Sequence, residues 1–221
     1  GTAFEFHNHI GAVHGLARVV RHHDLDLGQI SRERGQRGRH RDGRQHRGGH
    51  RHHDDAGAAA ATGQIVVGRF VKSSVADLER VYRGCIEAPY HFLRAVVPTM
   101  VEQKAGQVLV LTSATASRPT PNAPLYSAAR AGATMLVKNV AAEVARHGVQ
   151  VNAVGTNFMD FPEFLRASGA TDPAIRERIE AGVPMRRLGT VDECAAFCMA
   201  FLDGSSGFTT GQFVSYAGGW G

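Results

Sequence analysis

From about residue 56 onward, the apolar residues of the chain follow two alternating patterns. Two short runs, 106–114 and 149–155, are apolar almost throughout, which is typical of strands buried on both faces of a parallel sheet. Two longer segments, 75–103 and 125–148, repeat their apolar residues at helical spacing. Buried strands that alternate with crossover helices predict an α/β fold with a doubly wound parallel sheet.

Capping residues refine the ends of these elements. Ser73 or Ser74 is expected to cap the first long helix, which Pro89 and Pro98 should kink or divide. Gly148 is expected to end the second long helix as its C′ glycine.

The rest of this region predicts shorter elements. Thr190, with Glu193 three residues later, forms the capping box of a further helix. We expect a flexible entry at 56–63 and a strand or its exit at 64–71. Further on, we expect an irregular lid with short helices at 156–185, this capped helix at 190–204 and a closing strand at 210–219.

The first quarter of the chain has a different composition. Residues 1–55 contain ten arginines, no lysine, seven acidic residues and ten of the twelve histidines. Residues 31–55 contain no aliphatic or aromatic side chain and cannot bury a face, so we expect them not to fold alone. We therefore divide the chain into a disordered or aberrant Arg/His/Gly-rich segment, 1–61, and a domain, 62–221, whose sheet lacks its regular N-terminal strands. Strand 108–112 is then expected to lack neighbours.

Several interpretations of the Arg/His/Gly-rich tract compete. The first interpretation is a solvated disordered tail, the second is a nucleic-acid-binding tail, and the third is a metal site formed by His50, His52, His53 and Asp54. A fourth interpretation is a misjoined segment, because the chain begins with Gly and the composition changes abruptly. No aromatic residues interleave with the arginines for base stacking, so nucleic acid is not the partner we expect. We favour a tail without ligands and predict no metal site.

Composition excludes several other classes. The chain has 221 residues and a net charge of +5, and no apolar run reaches the roughly 18 residues of a membrane span. No basic segment followed by an apolar run marks a signal peptide. Cys85, Cys194 and Cys198 are too few for a disulfide framework, which favours buried thiols and a reducing, cytoplasmic location.

Candidate chemistry lies where the predicted strands end. Ligands of parallel α/β sheets bind at the carboxyl ends of the strands, here near 112–115 and 155–159. Ser113 ends one strand, and Tyr126 and Arg130 lie four residues apart on one helix face. A cation beside a phenol favours the phenolate, which makes the tyrosine a usable base. Alternatively, the tyrosine lies at the surface and the arginine is solvated.

These residues resemble the short-chain dehydrogenase/reductase superfamily, which has a Rossmann-like fold. The resemblance rests on TSA at 112–114, on YSAAR ending at Arg130, and on VQVNAVGTN and TGQFVSYAGG further on; it covers about residues 62–221. The dehydrogenases carry Tyr-x-x-x-Lys and a Pro-Gly pair after the VNAV strand. This chain has Arg130 and Gly155-Thr156-Asn157-Phe158 instead, and both departures resemble the halohydrin dehalogenases, most closely their G-type.

That resemblance implies a lyase that converts vicinal haloalcohols into epoxides and halide without a cofactor. Tyr126 would accept the hydroxyl proton, Ser113 would hydrogen-bond the same oxygen, and Arg130 would favour the phenolate. In reverse, small anions would open epoxides. The resemblance also implies a homotetramer built through helices 75–103 and 125–148. The halide would bind a turn whose Phe158 and Met159 amides donate to it; the turn comprises Thr156, Asn157, Phe158 and Met159.

Two alternatives remain open. One is an NAD(P)-dependent reductase of the same superfamily that uses Tyr126 with Arg130 in place of lysine. Phe158 argues against it, because an aromatic side chain there should crowd the nicotinamide, and the sequence contains no G-x-G-x-x-G motif. The other alternative is a basic nucleic-acid-binding protein driven by residues 31–55. Because half the sheet is expected to be missing, we also predict an unstable or inactive chain.

Overall fold

A five-stranded sheet forms the centre of the molecule. The structure is a computed structural model, which describes residues 16–20, 57–61 and 63–221. The strands lie side by side in chain order: β1 (Leu16–Val20), β2 (Gly57–Ala61), β3 (Gly106–Ser113), β4 (Val149–Thr156) and β5 (Phe213–Tyr216).

Strands β2 to β5 are parallel, and β1 pairs antiparallel with β2 at the edge. Within the sheet, Ala58 lies opposite Val108, and Val108 lies opposite Val151. All three side chains are fully buried, as expected for a sheet covered on both faces. The predicted parallel α/β fold is confirmed.

Helices connect the strands and cover the sheet. They are α1 (Val75–Tyr82), α2 (Ala88–Gln103), α3 (Pro124–Val144), α4 (Pro162–Ser168), α5 (Pro173–Gly182) and α6 (Val191–Met199). Helices α2 and α3 pack on one face of the sheet around Val108, Val110 and Val151. Helix α6 packs on the other face around Leu109 and Val154.

The predicted helix boundaries agree well with the structure. A π turn, Arg83–Glu87, joins α1 to α2, so residues 75–103 form one helical run in which Pro89 opens α2 and Pro98 lies inside it. Ser74 caps α1 in a capping box with Asp77. Gly148, at a φ of 75°, follows the last turn after α3.

The predictions for the shorter elements have mixed outcomes. Thr190 and Glu193 form the predicted capping box of α6, but the helix ends at Met199, earlier than predicted. The predicted lid contains α4 and α5, and β5 forms the closing strand.

The start of the domain differs from the sequence prediction. The predicted flexible entry contains β2, and residues 64–71 are the exit from that strand and not a strand themselves: a 3₁₀ turn, Phe70–Lys72, follows an extended segment. Small residues suit β2 because neighbours approach closely; a Cβ at Gly57 would lie 3.0 Å from the Leu202 carbonyl oxygen. Strand β3 is therefore flanked by β2 and β4.

Several predictions concern residues that the structure does not describe. The tract 31–55 lies outside the described residues, as do His50, His52, His53 and Asp54. Strands β1 and β2 both come from the segment 1–61, and β2 precedes the boundary predicted at residue 62.

The three cysteines are buried and free, as predicted. Burial and a hydrogen bond to Cys194 raise the pKa of the Cys198 thiol, which keeps it protonated. Within the described ranges, no three His, Cys, Asp or Glu side chains form a group that could hold a metal ion. No helix there is both long and apolar enough to cross a bilayer.

Candidate active site

The carboxyl ends of three neighbouring strands bring the candidate residues to one edge of the sheet. Ser113 at the end of β3 lies opposite Thr156 at the end of β4, and Thr156 lies opposite Tyr216 at the end of β5. The sheet register therefore places the predicted catalytic serine directly beside the start of the predicted halide turn.

Ser113 is held by the turn that follows its strand. Its side chain is buried, and its Oγ accepts hydrogen bonds from the Thr115 amide at 3.3 Å and from the Thr115 hydroxyl at 3.1 Å. Because both of these bonds use Ser113 as the acceptor, its own hydroxyl proton can be donated to a substrate oxygen.

Tyr126 and Arg130 lie together at the start of α3. Both are buried, with 8% and 6% of their surface exposed, and the Arg130 Cζ atom lies 5.1 Å from the centroid of the Tyr126 ring. The tyrosine packs with Val81, Cys85 and Ala123 in a small apolar cluster. The alternative of a surface tyrosine beside a solvated arginine is therefore wrong.

The Arg130 guanidinium is a buried cation with few partners. Its Nη1 donates to the Leu111 carbonyl oxygen at 3.5 Å, and its Nε is buried without a hydrogen bond. No carboxylate in the described part of the chain forms an ion pair with it. A buried cation of this kind favours negative charge beside it, as on an incoming anion.

Gly63 provides space for this guanidinium. A Cβ built at this position would lie 1.8 Å from Arg130 Nη2, and the backbone φ of 142° is one that glycine tolerates best. Sequence reasoning assigned Gly63 only to a flexible entry. The available signal was a lone glycine directly after a small-residue run, but nothing in the sequence connects it to residue 130.

The predicted halide turn follows β4 without a regular element. The Asn157 amide donates to the Tyr216 carbonyl oxygen at 3.3 Å, and the Gly189 amide donates to the Phe158 carbonyl oxygen at 2.9 Å. Phe158 has a φ of 54°, in the left-handed region, and Met159 is buried.

One predicted halide donor is already engaged. The Phe158 amide donates to the Asn157 side-chain oxygen at 3.0 Å, whereas the resemblance implied that it faces the halide. In this conformation the Asn157 side-chain oxygen occupies the Phe158 amide. The Asn157 side chain must therefore move away before that amide can bind an anion.

Side chains that the sequence did not single out surround Phe158. Its ring lies 6.0 Å from the Phe164 ring and 5.3 Å from the Trp220 ring, both edge to face. The Arg118 guanidinium lies 4.6 Å from the centroid of the Trp220 ring. We call Arg118, Trp220 and Phe158 the aromatic clamp.

The segment behind the turn is tethered to α5. Arg176 donates to Asp160 at 2.8 Å and to Glu180 at 2.9 Å, and these carboxylates raise the pKa of the guanidinium, the bond to Asp160 contributing most. These groups are partly exposed, so the tether contributes little to stability and serves mainly to fix the segment.

Comparison with known proteins identifies the family. A family model described as "Enoyl-(Acyl carrier protein) reductase", of the short-chain alcohol dehydrogenase type, matches residues 54–221. The chain belongs to the short-chain dehydrogenase/reductase superfamily.

Curated relatives in this superfamily are mainly dehydrogenases and reductases. A 4-formylbenzenesulfonate dehydrogenase of Comamonas testosteroni is 31% identical over 144 residues, which are 65% of this chain and 57% of the relative. An acetoacetyl-CoA reductase of Synechocystis is 32% identical over 151 residues, 67% of this chain and 61% of the relative. The chain thus spans about three fifths of the length of these relatives.

Solved structures of the superfamily share the fold. A structure titled "Dehalogenation enzyme" matches with a TM-score of 0.70 and 29% identity, covering 76% of this chain and 69% of that one. A structure titled "ElxO with NADP Bound" matches with a TM-score of 0.67 and 21% identity, covering 72% and 64%.

Many enzymes of this superfamily bind a nicotinamide dinucleotide, whose pyrophosphate needs a glycine-rich turn between a strand and a helix. No G-x-G-x-x-G motif occurs in the sequence. In the part of the chain that the structure describes, segments 63–74 and 114–123 separate β2 and β3 from the next α-helix, so neither strand leads through a short glycine-rich turn into a helix.

Proposed function

We propose that this site catalyses the cofactor-independent conversion of vicinal haloalcohols into epoxides and halide. The observation that carries the proposal is the buried Arg130 guanidinium, which lies over the Tyr126 ring and has no carboxylate partner among the residues that the structure describes. Arginine at this position, combined with the Thr156–Met159 turn in place of a Pro-Gly pair, is the combination that favours a dehalogenase. The 29% identity to a structure titled "Dehalogenation enzyme" supports the same choice.

The proposed reaction needs one base and one oriented oxygen. Tyr126 as the phenolate accepts the proton of the substrate hydroxyl, and the Ser113 hydroxyl donates a hydrogen bond to the same oxygen. The resulting alkoxide attacks the neighbouring carbon, a new C–O bond closes the epoxide ring, and the carbon–halogen bond breaks with both electrons leaving on the halide. The products are an epoxide, a halide and a proton, with no change of oxidation state that would require a nicotinamide.

The end of β4 is a suitable place for the departing halide. Ser113 and Thr156 are register neighbours, so the hydroxyl oxygen and the leaving group of a short substrate span from the end of β3 to the end of β4. Backbone amides in the turn that follows β4 would donate to the halide once Asn157 has turned aside. The same amides would hold azide, cyanide or nitrite for epoxide opening.

A second candidate is an NAD(P)-dependent oxidoreductase. Similarity to known proteins supports this candidate better than it supports a dehalogenase. The curated relatives are named dehydrogenases and reductases. In this reaction the nicotinamide, when bound, would exchange a hydride with the substrate, while Tyr126 would exchange a proton with the substrate oxygen and Ser113 would orient that oxygen.

One pair of assays separates the two candidates. The purified chain is incubated with a vicinal bromoalcohol without nicotinamide, and bromide is measured; in parallel, reduction of NAD⁺ and NADP⁺ is followed with secondary alcohols. We expect bromide release and no nicotinamide reduction. Nicotinamide reduction without bromide release would contradict the proposal.

Arg130→Lys is the informative variant, because it installs the residue that the dehydrogenases carry. In a dehalogenase, lysine cannot keep the planar contact with the Tyr126 ring, so we expect bromide release to fall. In an oxidoreductase, the same substitution would maintain or raise nicotinamide reduction. The two candidates therefore predict opposite changes for one substitution.

We also propose that the enzyme assembles as a homotetramer through the helical run 75–103, which comprises α1 and α2, and through α3. These helices expose apolar side chains that a partner copy would cover: Val75 is 72% exposed, Leu78 and Tyr82 are each 50% exposed, and Met135 is 57% exposed. Light scattering on the purified chain should give four times the mass of 23.7 kDa. A monomer that stays monomeric on concentration would contradict this assembly.

A further inference from the structure

We propose that Trp220 and Arg118 are positioning residues for anion binding: they hold Phe158, and with it the turn Thr156–Met159, in the conformation that receives the leaving halide. This inference rests on the proposed function, because it concerns how that site holds its anion.

Phe158 occupies a backbone conformation that needs outside support. Its φ of 54° lies in the left-handed region, where the Cβ of a residue other than glycine crowds the backbone. The Phe158 backbone makes two hydrogen bonds: its amide donates to the Asn157 side-chain oxygen, and its carbonyl oxygen accepts from the Gly189 amide. The first of these must break if the amide is to bind an anion.

The Phe158 side chain supplies the remaining support. Its ring meets Phe164 and Trp220 edge to face at 6.0 and 5.3 Å, a geometry in which aromatic pairs attract one another. These contacts remain when Asn157 turns aside, since they do not involve the amide. The aromatic clamp can therefore keep the turn in place through the step at which the anion replaces Asn157.

The Trp220 ring is itself fixed from two sides. The Arg118 guanidinium covers its face at 4.6 Å, and the Trp220 amide donates to the Ala217 carbonyl oxygen at 3.1 Å. Gly218 and Gly219 adopt left-handed conformations just before it, and the Met185 amide binds the Gly218 carbonyl oxygen.

The aromatic clamp therefore joins three segments that are far apart in the chain. Arg118 lies in the loop that follows Ser113, Phe158 lies in the turn after β4, and Trp220 lies in the turn after β5. Neither Arg118 nor Trp220 belongs to the group that moves the proton. Substitution at either position should weaken anion binding, while proton transfer to Tyr126 remains intact.

The chain offers a direct probe of this binding. Trp220 is its only tryptophan, so intrinsic tryptophan fluorescence comes from the aromatic clamp itself. We would titrate the full chain with bromide at constant ionic strength and follow this fluorescence. The parent is expected to show a saturable change; a purely linear quenching would overturn the proposal, because it would mean that no anion binds at the turn.

Arg118 is the position to vary, because it is exposed and its substitution leaves the core intact. Arg118→Met removes the charge over the Trp220 ring and should raise the Kd for bromide about two- to fivefold, the equivalent of an exposed cation–π contact. Arg118→Lys keeps a cation there and should restore part of the affinity. Arg94→Met removes the same charge from the exposed face of α2 and serves as the matched control, with the parental Kd.

The outcomes distinguish this inference from the proposed function. If Arg118→Met binds bromide with the same Kd as Arg94→Met, the positioning role is wrong, whatever the enzymatic activity. If Arg118→Met weakens bromide binding but the parent releases no bromide from a bromoalcohol, the anion site and the clamp stand, and the proposed reaction fails.

Discussion

The two halves of the candidate site are held in different ways. Ser113, Tyr126 and Arg130 lie on regular elements, the end of β3 and the first turns of α3, and all three are buried. Beyond Thr156, the last residue of β4, the turn Thr156–Met159 lies outside the helices and strands, and contacts with distant residues such as Trp220 hold it.

This difference separates the chemistry of the site into two parts. The proposed proton-transfer group lies on β3 and α3, whose Val108, Val110, Val137 and Ala141 belong to the apolar core of the sheet, so it is positioned whenever the domain is folded. The turn depends on a few aromatic contacts and hydrogen bonds, which can change without unfolding the sheet. Substitutions at one half should therefore leave the other half largely unaffected.

The largest expected effect breaks the proton-transfer half alone. Tyr126→Phe removes the base but keeps the ring over which Arg130 lies. We expect bromide release to fall by at least about 100-fold, since a positioned base contributes that much or more. Tyr90→Phe, at a tyrosine that is 46% exposed on α2, should keep the parental rate. A Tyr126→Phe variant with more than a tenth of the parental rate would exclude this residue as the base.

A second substitution displaces Arg130 without changing it. Gly63→Ala places a methyl group against the guanidinium and strains a backbone at a φ of 142°, so we expect a stability loss of about 1–3 kcal/mol and reduced bromide release. Gly68→Ala is the matched control, because a Cβ there meets nothing within 4 Å. Equal thermal unfolding and equal activity of the two variants would show that Gly63 does not hold the guanidinium in place.

A third substitution tests whether the N-cap of α6 helps to hold the turn Thr156–Met159. Thr190 caps α6 directly after Gly189, which binds the Phe158 carbonyl oxygen. Thr190→Ala should cost about 1 kcal/mol of stability and also weaken bromide binding. Ser74→Ala removes the corresponding capping box on α1, distant in sequence from the turn, and should cost similar stability with bromide binding unchanged. Equal bromide affinity in both variants would show that the α6 cap does not influence the turn.

The smallest expected effect is a pH dependence of stability that comes from Glu193 in the capping box of α6. Arg187 and the Thr190 amide lower the pKa of Glu193 from 4.5 to about 2. A lowered carboxyl pKa stabilises the folded state above the unfolded value, so this contribution is present above about pH 4.5 and is lost as the pH falls toward 2. Thermal unfolding of Glu193→Gln should therefore lie below that of the parent at pH 7, and the difference should shrink toward pH 2. A difference that is constant with pH would contradict this role.

Much of the proton-transfer half could be predicted from the sequence. Helical spacing places Tyr126 and Arg130 on one face, and a buried apolar run that ends in Ser113 places that residue at the sheet edge. Both are local patterns, and the structure agrees with them. The capping box of α6 was equally readable, because Thr190 and Glu193 lie within four residues, and Ser74 was one of the two candidates for the N-cap of α1.

The parts that the sequence did not reveal depend on distant neighbours. Strand β2 consists of glycine and alanine, which are poor strand formers, and it is a strand because it pairs with β3 in a core where small residues fit. Gly63 meets Arg130, and Trp220 meets Arg118 and Phe158, across large separations in the chain. No local period encodes these contacts.

We propose above that the site releases halide and forms an epoxide without a nicotinamide. The most direct test incubates the purified chain, freed of nucleotides, with a vicinal bromoalcohol and measures bromide and epoxide in the same sample. We expect both products in equal amounts, and we expect Tyr126→Phe to abolish both. Folded chain that yields neither product, or yields a ketone only when a nicotinamide is added, would contradict it.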